Sequence, residues 1–394
     1  MSAAPHVFIV AGEESGDRLG AALIAALKDA TGGAVRVSGI GGTHMGAAGV
    51  TSHFPLGDLA IMGFAAIPAR LPLILRRIRE AADAVIAAKP DVLVIIDSPE
   101  FTHRVAKRVR AHAPHIPIVD YVCPSVWAWR SGRARKMRAY VDRVLALLPF
   151  EPEAMRRLGG PPTDFVGHPL AEAVTRLRPD ADEARRRLAD PPVLLVLPGS
   201  RTAEVRRLAA VLGDAVGRVA AAAGPLDVVV PAVPRLARLV EEAVARWPVA
   251  ARVVTDQRDK DAAFRIARAA LTKSGTSTLE LAVAGVPMVA AYKVTVLEEV
   301  IARLLFKIDT VILANLVLGE KVVPEFWQSA FTADNLVTAL LPLLGDTPQR
   351  RAQVAAFARL DGLMEIGSAV PSRRAADLVL AAAGFNQSTP ALAT

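Results

Sequence analysis

Cysteine, aromatic residues and long apolar runs are all scarce in this chain. Cys123 is the only cysteine among 394 residues, which excludes an internal disulfide framework and a cysteine-rich zinc site and favours a reducing compartment. No uncharged apolar run approaches the roughly 20 residues of a spanning helix, and the opening MSAAPHVFIVAGEESGD lacks the basic region of a signal peptide. These absences predict a cytoplasmic protein that is soluble or lies on a membrane.

The chain is too long for one hydrophobic core, and its charge is unbalanced. Cores stop growing at about 250 to 300 residues, so we expect two domains. Lysine and arginine number 47 against 39 acidic residues, a net charge of +8. This excess favours nucleic acid, phosphorylated metabolites or an acidic membrane surface as partners, and charge alone does not choose among them.

Short β-rich runs alternate with helix-length amphipathic segments, which is typical of a parallel sheet covered by helices. The first half is predicted to contain strands at 6–11, 91–97, 116–121 and 144–148. The pattern breaks across 167–190 and restarts with PPVLLVLPGSR, LDVVVPAV, ARVVT, AALTKSG and VPMVAAY. We therefore predict an α/β fold of two Rossmann-like domains facing a cleft, with ligands at the carboxyl ends of the strands.

The first predicted strand ends in AGEESGDRLG, with Gly12, Gly16 and Gly20 before a helix. These glycines and Ser15 would let backbone amides face an anion or a sugar hydroxyl at the positive end of that helix. The spacing is not GxGxxG, so a nicotinamide cofactor is not expected, and no other cofactor is predicted. A plain turn capped by Ser15 and Asp17 is the alternative.

The run DVLVIIDSPEF ends in Asp97, just before a helix opened by Ser98 and Pro99. A carboxylate at that rim can take a proton from an attacking hydroxyl, and a helix cap is the equally open alternative. The rival bases are Glu13, Asp17, Glu100 and His168.

The second half has two glycine-led helix starts. In LPGSRTAEV, Ser200 and Arg201 suit a phosphate group, although the Walker spacing is absent. In KSGTSTLE, Gly275 and Thr276 precede Glu280, whose carboxylate could hold two ribose hydroxyls. At both places an ordinary capped helix start is the alternative.

Two DxD strings, 180–182 and 259–261, could suggest a divalent metal that holds a diphosphate. Both occur in charged segments away from the strand ends. No metal site is therefore predicted.

The segment 61–78 combines an apolar helical stripe with flanking arginines. This pattern suits a helix lying in an anionic membrane interface, and a core-facing amphipathic helix is the alternative. The membrane-associating residues are predicted to be Ile67, Leu71, Ile74, Leu75 and Ile78.

The stretch YVCPSVWAWR places Trp127 and Trp129 on a predicted loop beyond a strand, followed by the basic run RSGRARKMR. Large flat side chains on such loops commonly line ligand clefts. The alternative is that both rings fasten the loop to the core.

With these motifs in place, the chain resembles the lipid-A-disaccharide synthases, which are inverting glycosyltransferases of the GT-B type. The resemblance covers nearly the whole chain and is carried, in order, by AGEESGD, GIGG, IMGF, IDSPEF, YVCPSVWAWR, LLPFE, FVGHPL, LPGSR, SGTSTLE, GVPMV and ANLVLGEKVVPEFWQ. It implies metal-independent transfer of 2,3-diacylglucosamine from UDP to the 6-hydroxyl of 2,3-diacylglucosamine 1-phosphate. The products would be a β-1,6 disaccharide and UDP.

The resemblance also implies a domain plan and partners. Residues 1–168 would form an acceptor-binding domain with a membrane-associating helix, and 169–365 a UDP-sugar-binding domain. Residues 366–394 would form a helix packing back on the first domain, with a disordered tail. The implied setting is the cytoplasmic surface of the inner membrane, without nucleic acid, as a monomer or homodimer.

The resemblance implies roles for single residues. Asp97 would be the general base, Arg201 would neutralise the leaving UDP, and Glu13 would face the scissile bond. The UDP-binding residues would be Ser200, Arg201, Gly275, Thr276, Glu280 and Asn315. The acceptor side would comprise Ser15, Gly16, Asp17, Trp127, Trp129 and Arg130.

Three residues depart from the family pattern. Lys273 stands where a small residue is usual, Ala314 where proline is usual and Cys123 where serine is usual.

The runner-up function is a UDP-sugar 2-epimerase of the same fold, which would need no acceptor. A nucleic-acid-binding protein would explain the charge but not the glycine turns.

Overall fold

The computed structural model describes residues 4–59, 67–295, 299, 308–367 and 370–385. The chain divides into two compact units. The first comprises Met1–Pro169 with Ser368–Thr394, and the second comprises Leu170–Gly367.

The first unit contains a six-stranded parallel sheet in the order β2-β1-β3-β4-β5-β6. Its strands are β1 (His6–Ala11), β2 (Arg36–Ile40), β3 (Val92–Ile96), β4 (Ile118–Tyr121), β5 (Arg143–Ala146) and β6 (Thr163–Phe165). Every residue of β1 and β3 is buried. This explains their continuous apolar runs, because a parallel sheet has helices on both faces.

Helices cover both faces of this first sheet. They are α1 (Glu14–Ala30), α2 (Thr43–Ala47), α3 (Ile67–Ala88), α4 (Pro99–His112), α5 (Gly132–Met137), α6 (Glu151–Arg157) and the last helix of the chain (Pro371–Ala382). Side chains of β1 alternate between two core layers, so Val7 packs in the layer containing α1 and Phe8 in the layer containing α3 and α4. The last helix joins the α1 layer through Ala375, Ala376, Val379 and Leu380.

The second unit repeats this architecture, with strand order β12-β11-β10-β7-β8-β9, all parallel. Its strands are β7 (Val193–Leu197), β8 (Asp227–Pro231), β9 (Ala251–Val254), β10 (Ala269–Lys273), β11 (Met288–Tyr292) and β12 (Glu325–Trp327). Its helices are α7 (Leu170–Leu177), α8 (Ala181–Leu188), α9 (Thr202–Ala223), α10 (Ala237–Val244), α11 (Gln257–Ile266), α12 (Thr276–Val283), α13 (Leu313–Leu318), α14 (Ala333–Leu344), α15 (Pro348–Ala358) and α16 (Leu360–Leu363), so the last helix of the chain is α17. Two Rossmann-like α/β units were predicted, and the structure confirms them.

Each sheet reverses its strand order at one point. In the first sheet the chain steps from β1 to β2 on one side and places β3 on the other, and in the second sheet β7 lies between β8 and β10 in the same way. Such a reversal opens a crevice at the carboxyl ends of the two central strands, where α/β proteins bind ligands. The loops after β1, β3, β7 and β10 therefore occupy the places where chemistry is expected.

The amphipathic helix α3 divides the predicted membrane stripe. Ile78 is 7% exposed and Ile74 is half-buried, and both pack with the core layer beneath α3. Leu71 and Leu75 are 42% and 39% exposed. Ile78 therefore covers the sheet rather than facing a membrane, with Ile74 packed beside it, and the exposed face of α3 is formed by Leu71 and Leu75. Residues 61–66 and the side chain of Ile67 lie outside the described residues.

Among the described residues, no helix is both long enough and apolar enough to cross a membrane.

Candidate active site

The loops after β1 and β3 touch each other at the reversal point of the first sheet. A Cβ atom on Gly12 would lie 2.2 Å from the Cβ of Ser98, so only glycine fits there. A Cβ atom on Gly16 would lie 3.1 Å from the carbonyl oxygen of Ile96, which brings the start of α1 close to the end of β3. The glycines of the first motif therefore allow two backbones to approach.

Asp97 is held in a constrained conformation where these loops meet. Asp97 and Ser98 have φ values of 55° and 45°, a left-handed backbone that non-glycine residues adopt at a cost of roughly 1 to 3 kcal/mol each. Asp97 Oδ2 accepts a hydrogen bond from Ser15 Oγ at 2.8 Å, and Oδ1 accepts one from the amide of Ser98 at 2.8 Å. Ser98 Oγ donates to Glu13 Oε1 at 3.3 Å. The structure thus brings Glu13, Ser15 and Asp97 together.

A cavity of about 190 Å³ lies beside Asp97, within the first unit. The guanidinium of Arg130 lies 4.4 Å from the ring centroid of Trp129 and pairs with Glu100 at 2.8 Å. Arg133 also pairs with Glu100. The cavity is lined by Asp97, Pro99, His103, Asp120, Val122, Cys123, Pro124, Ser125, Val126, Trp129, Arg130 and Arg133.

The two tryptophans have different surroundings. Trp129 lines the cavity, whereas Trp127 packs edge-on against Phe150 at 5.1 Å and donates its indole N–H to Glu151 Oε1 at 3.2 Å. Glu151 also accepts the amides of Leu147 and Leu148 at 3.1 and 2.9 Å. Trp127 therefore fastens the loop after β4 to the loop after β5, and we leave it out of the proposed acceptor residues.

Asp17 has a structural environment. Its side chain is almost fully buried and accepts the amides of Gly42, His44 and Met45 at 2.7, 2.9 and 3.0 Å. These three bonds hold the start of α2 against α1. The carboxylate is thus fully engaged away from the cavity, and we leave Asp17 out of the proposed acceptor residues.

In the second unit, the loop after β7 is organised by a glutamate that sequence reasoning missed. Glu204 Oε2 accepts the amides of Ser200 and Arg201 at 3.0 and 3.2 Å, and its Oε1 pairs with Lys273 Nζ at 3.1 Å. A Cβ atom on Gly199, whose φ is 119°, would lie 2.6 Å from Glu204 Oε2. The signal was the glutamate three residues after Arg201, a capping-box spacing.

The charge state of Glu204 is set by opposing effects. Burial raises its pKa, but the charge and hydrogen bond of Lys273, the Ser200 amide and the charge of Arg201 together lower the pKa below its ordinary value. Glu204 is therefore an anion, and it accepts the Ser200 and Arg201 amides that were predicted to bind a phosphate. The Arg201 side chain remains 77% exposed, with one guanidinium nitrogen 3.3 Å from Glu204 Oε1.

The loop after β10 carries the remaining predicted nucleotide residues. Gly275 has a φ of 156° and directly precedes Thr276 at the start of α12. Glu280, one turn into the helix, pairs with Lys260 at 2.8 Å. Gly275, Thr276 and Glu280 therefore lie at the reversal point of the second sheet, beside the loop with Ser200 and Arg201.

Asn315 belongs to a different environment. It is 2% exposed, its Oδ1 accepts the amides of Val322 and Val323, and its Nδ2 donates to Val323 O and Thr310 Oγ1. Because both ends of the amide are occupied, its side chain holds the 319–323 turn in place. We leave Asn315 out of the proposed nucleotide contacts.

Within the described part of the chain, no group of three or more histidine, cysteine, aspartate or glutamate side chains is arranged to hold a metal ion. One aspartate of each DxD string is engaged in another contact. Asp180 caps α8 by accepting the amides of Asp182 and Glu183, and Asp261 binds Arg176 and Gln257.

Comparison with known proteins identifies close relatives. The sequence model of the family described as Lipid-A-disaccharide synthetase matches residues 7–373. Lipid-A-disaccharide synthase from Nitrobacter hamburgensis is 58% identical over 375 residues, covering 95% of both chains. The protein of that name from Ruegeria pomeroyi is 46% identical over 386 residues, covering 95% of this chain and 94% of its own.

More distant solved structures share the fold. The Staphylococcus aureus MnaA-UDP complex aligns with a TM-score of 0.65 at 12% identity, over 98% of this chain and 99% of that one. The Acinetobacter baumannii MurG structure aligns with a TM-score of 0.59 at 16% identity, over 96% and 99%. These likenesses show the GT-B fold that the resemblance implied. By the family match and the identity to its relatives, the chain belongs to the lipid-A-disaccharide synthase family.

Proposed function

We propose that this chain transfers 2,3-diacylglucosamine from UDP-2,3-diacylglucosamine to the 6-hydroxyl of 2,3-diacylglucosamine 1-phosphate. The products are the β-1,6 disaccharide 1-phosphate of lipid A and UDP. One observation carries the proposal, namely 58% identity over 95% of both chains to a lipid-A-disaccharide synthase. The chain is accordingly a glycosyltransferase of lipopolysaccharide biosynthesis.

Asp97 is the proposed general base. Its two carboxylate oxygens are fixed by Ser15 and Ser98, and it lines the cavity of the first unit. A base must lie within hydrogen-bond reach of the hydroxyl whose proton it removes. In this proposal Asp97 takes the proton of the acceptor 6-hydroxyl as that oxygen attacks the anomeric carbon. A single displacement of this kind inverts the anomeric configuration.

Arg201 is the proposed counter-charge for the leaving UDP. Its exposed guanidinium can bind a phosphate in the bidentate manner typical of arginine. Charge that develops on the departing phosphate would meet groups already in place, so the mechanism routes no step through a metal.

Other predicted residues have narrower proposed roles. Glu280 would hold the UDP ribose, with Lys260 fixing its carboxylate, and Gly275 and Thr276 would lie near the phosphates. Glu13 would face the scissile bond. Trp129, Arg130 and the turn Ser15–Gly16 would contact the acceptor.

Membrane association is proposed for the exposed face of α3. Leu71 and Leu75 are exposed apolar side chains on a helix that also carries Arg70, Arg76 and Arg79. Apolar side chains with flanking arginines suit an anionic membrane surface, where both acylated substrates would reside. The proposed location is therefore the cytoplasmic face of the inner membrane.

The direct test is an assay of the purified chain with both lipid substrates, with and without a chelator. We expect disaccharide and UDP to appear at equal rates and to be unaffected by the chelator. An incubation without acceptor separates the runner-up, because only a 2-epimerase would convert the UDP-sugar alone. Chelator-sensitive transfer would contradict the metal-free mechanism, and conversion without acceptor would contradict the transferase.

A further inference from the structure

A buried histidine and a buried aspartate meet in the wall of the cavity beside Asp97. His103 of α4 and Asp120 of β4 are 4% and 1% exposed. His103 Nε2 lies 3.0 Å from Asp120 Oδ2, and Nδ1 lies 3.1 Å from the hydroxyl of Tyr140. Removing a carboxylate from water costs several kcal/mol unless its oxygens are satisfied, so the pair calls for an explanation.

One oxygen of Asp120 is satisfied by a side chain of the described residues, and the other is not. Within the described residues, Oδ2 is bonded to His103, and Oδ1 has no hydrogen-bond partner. Among these residues, Trp247 Nε1 is the one side-chain nitrogen or oxygen that is both inaccessible to solvent and without a hydrogen-bond partner. Because Asp120 Oδ1 also lacks a partner, it must be accessible to solvent. Asp120 lines the cavity, and Oδ1 therefore offers an acceptor to whatever occupies it.

The cavity has the size and polarity of a site for one sugar ring. Pockets for drug-sized ligands hold about 300 to 1,000 Å³, so a cavity of about 190 Å³ takes a head group and leaves acyl chains outside. Carboxylates, guanidinium groups and an indole ring surround it, a mixture suited to hydroxyl groups and a phosphate. Glu100 pairs with both Arg130 and Arg133 and keeps the two guanidinium groups at this wall.

The sheet places Asp120 beside the proposed base. Asp120 is the register partner of Ile95 on β3, two residues before Asp97. Asp97 and Asp120 both line the same cavity. A sugar whose 6-hydroxyl reaches Asp97 would thus present neighbouring polar groups toward Asp120.

We propose that Asp120 is an acceptor-binding residue, whose Oδ1 accepts a hydrogen bond from a ring hydroxyl or amide N–H of the acceptor glucosamine. His103 is a positioning residue that fixes the carboxylate through Oδ2. This inference rests on the proposed function and deepens it by naming the part of the acceptor that the first unit recognises. A buried carboxylate oxygen that loses its hydrogen-bond donor is costly. We therefore expect acceptor substrates that lack the donor group to bind less well.

Asp120→Asn tests the assignment in the full-length enzyme. The asparagine oxygen can still accept a hydrogen bond from His103 Nε2. The asparagine NH2 group then replaces Oδ1, so the cavity meets a donor where the native enzyme has an acceptor. We expect KM for the acceptor to rise about 10- to 100-fold, with KM for the UDP-sugar unchanged and kcat within about threefold. Asp261→Asn is the matched control, because Asp261 is a buried aspartate of the second unit, held by Arg176 and Gln257.

A second measurement needs no variant. The native enzyme is assayed with acceptors lacking the 4-hydroxyl or carrying an N-methylated amide, and we expect one of them to show the same rise in KM. If neither analogue binds less well, or if Asp120→Asn folds and keeps its acceptor KM, Asp120 is a structural residue only. Failure of the native enzyme to transfer sugar at all would instead overturn the proposed function.

Discussion

Carboxylates near the strand ends differ in what their oxygens contact. Asp97 is fixed by a serine hydroxyl and one amide and lines a cavity, whereas Asp17 and Glu204 are engaged by backbone amides. An acid whose oxygens are taken by amides stabilises a loop, and one that borders a cavity can act on a ligand. Position at a strand end does not distinguish a loop-stabilising carboxylate from one that faces a ligand. The contacts of its two oxygens do.

Sequence patterns located some of these residues and missed others. Asp97 follows an apolar run and Arg201 follows a glycine turn, so both could be predicted from strand ends. His103 and Asp120 could not, because His103 is one of many polar residues along α4 and Asp120 is a lone carboxylate inside a short buried strand. The informative signal is a charged residue within the buried strand IVDY, whose partner is known only from the packing of α4 on β4.

Glu151 gives a pH-dependent prediction at the residue scale. Burial raises the pKa of Glu151 from 4.5 to about 7, although hydrogen bonds from Leu148, Trp127 and Leu147 lower it. The folded state then holds a proton that the unfolded chain has lost between those pH values, so this residue's contribution to stability falls as the pH rises from about 4.5 to about 7.

Glu151→Gln removes this titration. We expect the free energy of unfolding of the native protein, relative to that of the variant, to decrease between pH 5 and pH 8 in urea titrations. A difference that stays constant across this range would show that Glu151 does not titrate there.

At the scale of elements, periodicity predicted the long strands and helices but not the shortest ones. β6 and β12 contain three residues each and lie at sheet edges, where so short a run has no alternation to detect. The helix α3 was predicted, but the sequence could not show which of its apolar side chains face the core and which face solvent. Ile78 belongs to the core, and Leu71 to the exposed surface.

This division of α3 predicts two separable effects. Replacing Leu71 and Leu75 together by serine should reduce binding to anionic phospholipid vesicles about 10-fold or more. Each leucine side chain that becomes buried in the membrane contributes roughly 1.5 to 3 kcal/mol to binding. The free energy of unfolding should change little, since both side chains are exposed. Vesicle co-sedimentation and urea titration measure the two quantities.

Ile78→Ala is the matched control for that pair. It should cost about 2 to 5 kcal/mol of stability and leave vesicle binding of the folded protein intact. Unchanged vesicle binding by the double serine variant would remove α3 from the proposed membrane surface.

At the scale of the whole molecule, the last helix belongs to the unit that contains the start of the chain. Val379 and Leu380 of α17 are buried in the core layer that holds Leu23 and Leu27 of α1. A pattern of small and apolar residues could predict a helix here, and the resemblance alone suggested where it packs. The first unit is therefore completed only when the end of the chain is present.

Leu380→Ala tests this dependence. The substitution should lower the free energy of unfolding by about 2 to 5 kcal/mol, because a buried leucine leaves a cavity. Asp377→Ala on the exposed side of α17 is the control and should have little effect. Equal stability of the two variants in urea titrations would mean that α17 contributes little to the core.

The central claim for the molecule is that it transfers a sugar with Asp97 as the base. The most direct measurement is kcat of Asp97→Asn, with both lipid substrates saturating and both dissociation constants measured. Asparagine Oδ1 can still accept the Ser98 amide and its Nδ2 can donate to Ser15 Oγ, but the side chain cannot take the proton. We predict a fall in kcat of about 100- to 10,000-fold with both dissociation constants within about threefold of native. Turnover near the native value by a folded Asp97→Asn enzyme would contradict this account.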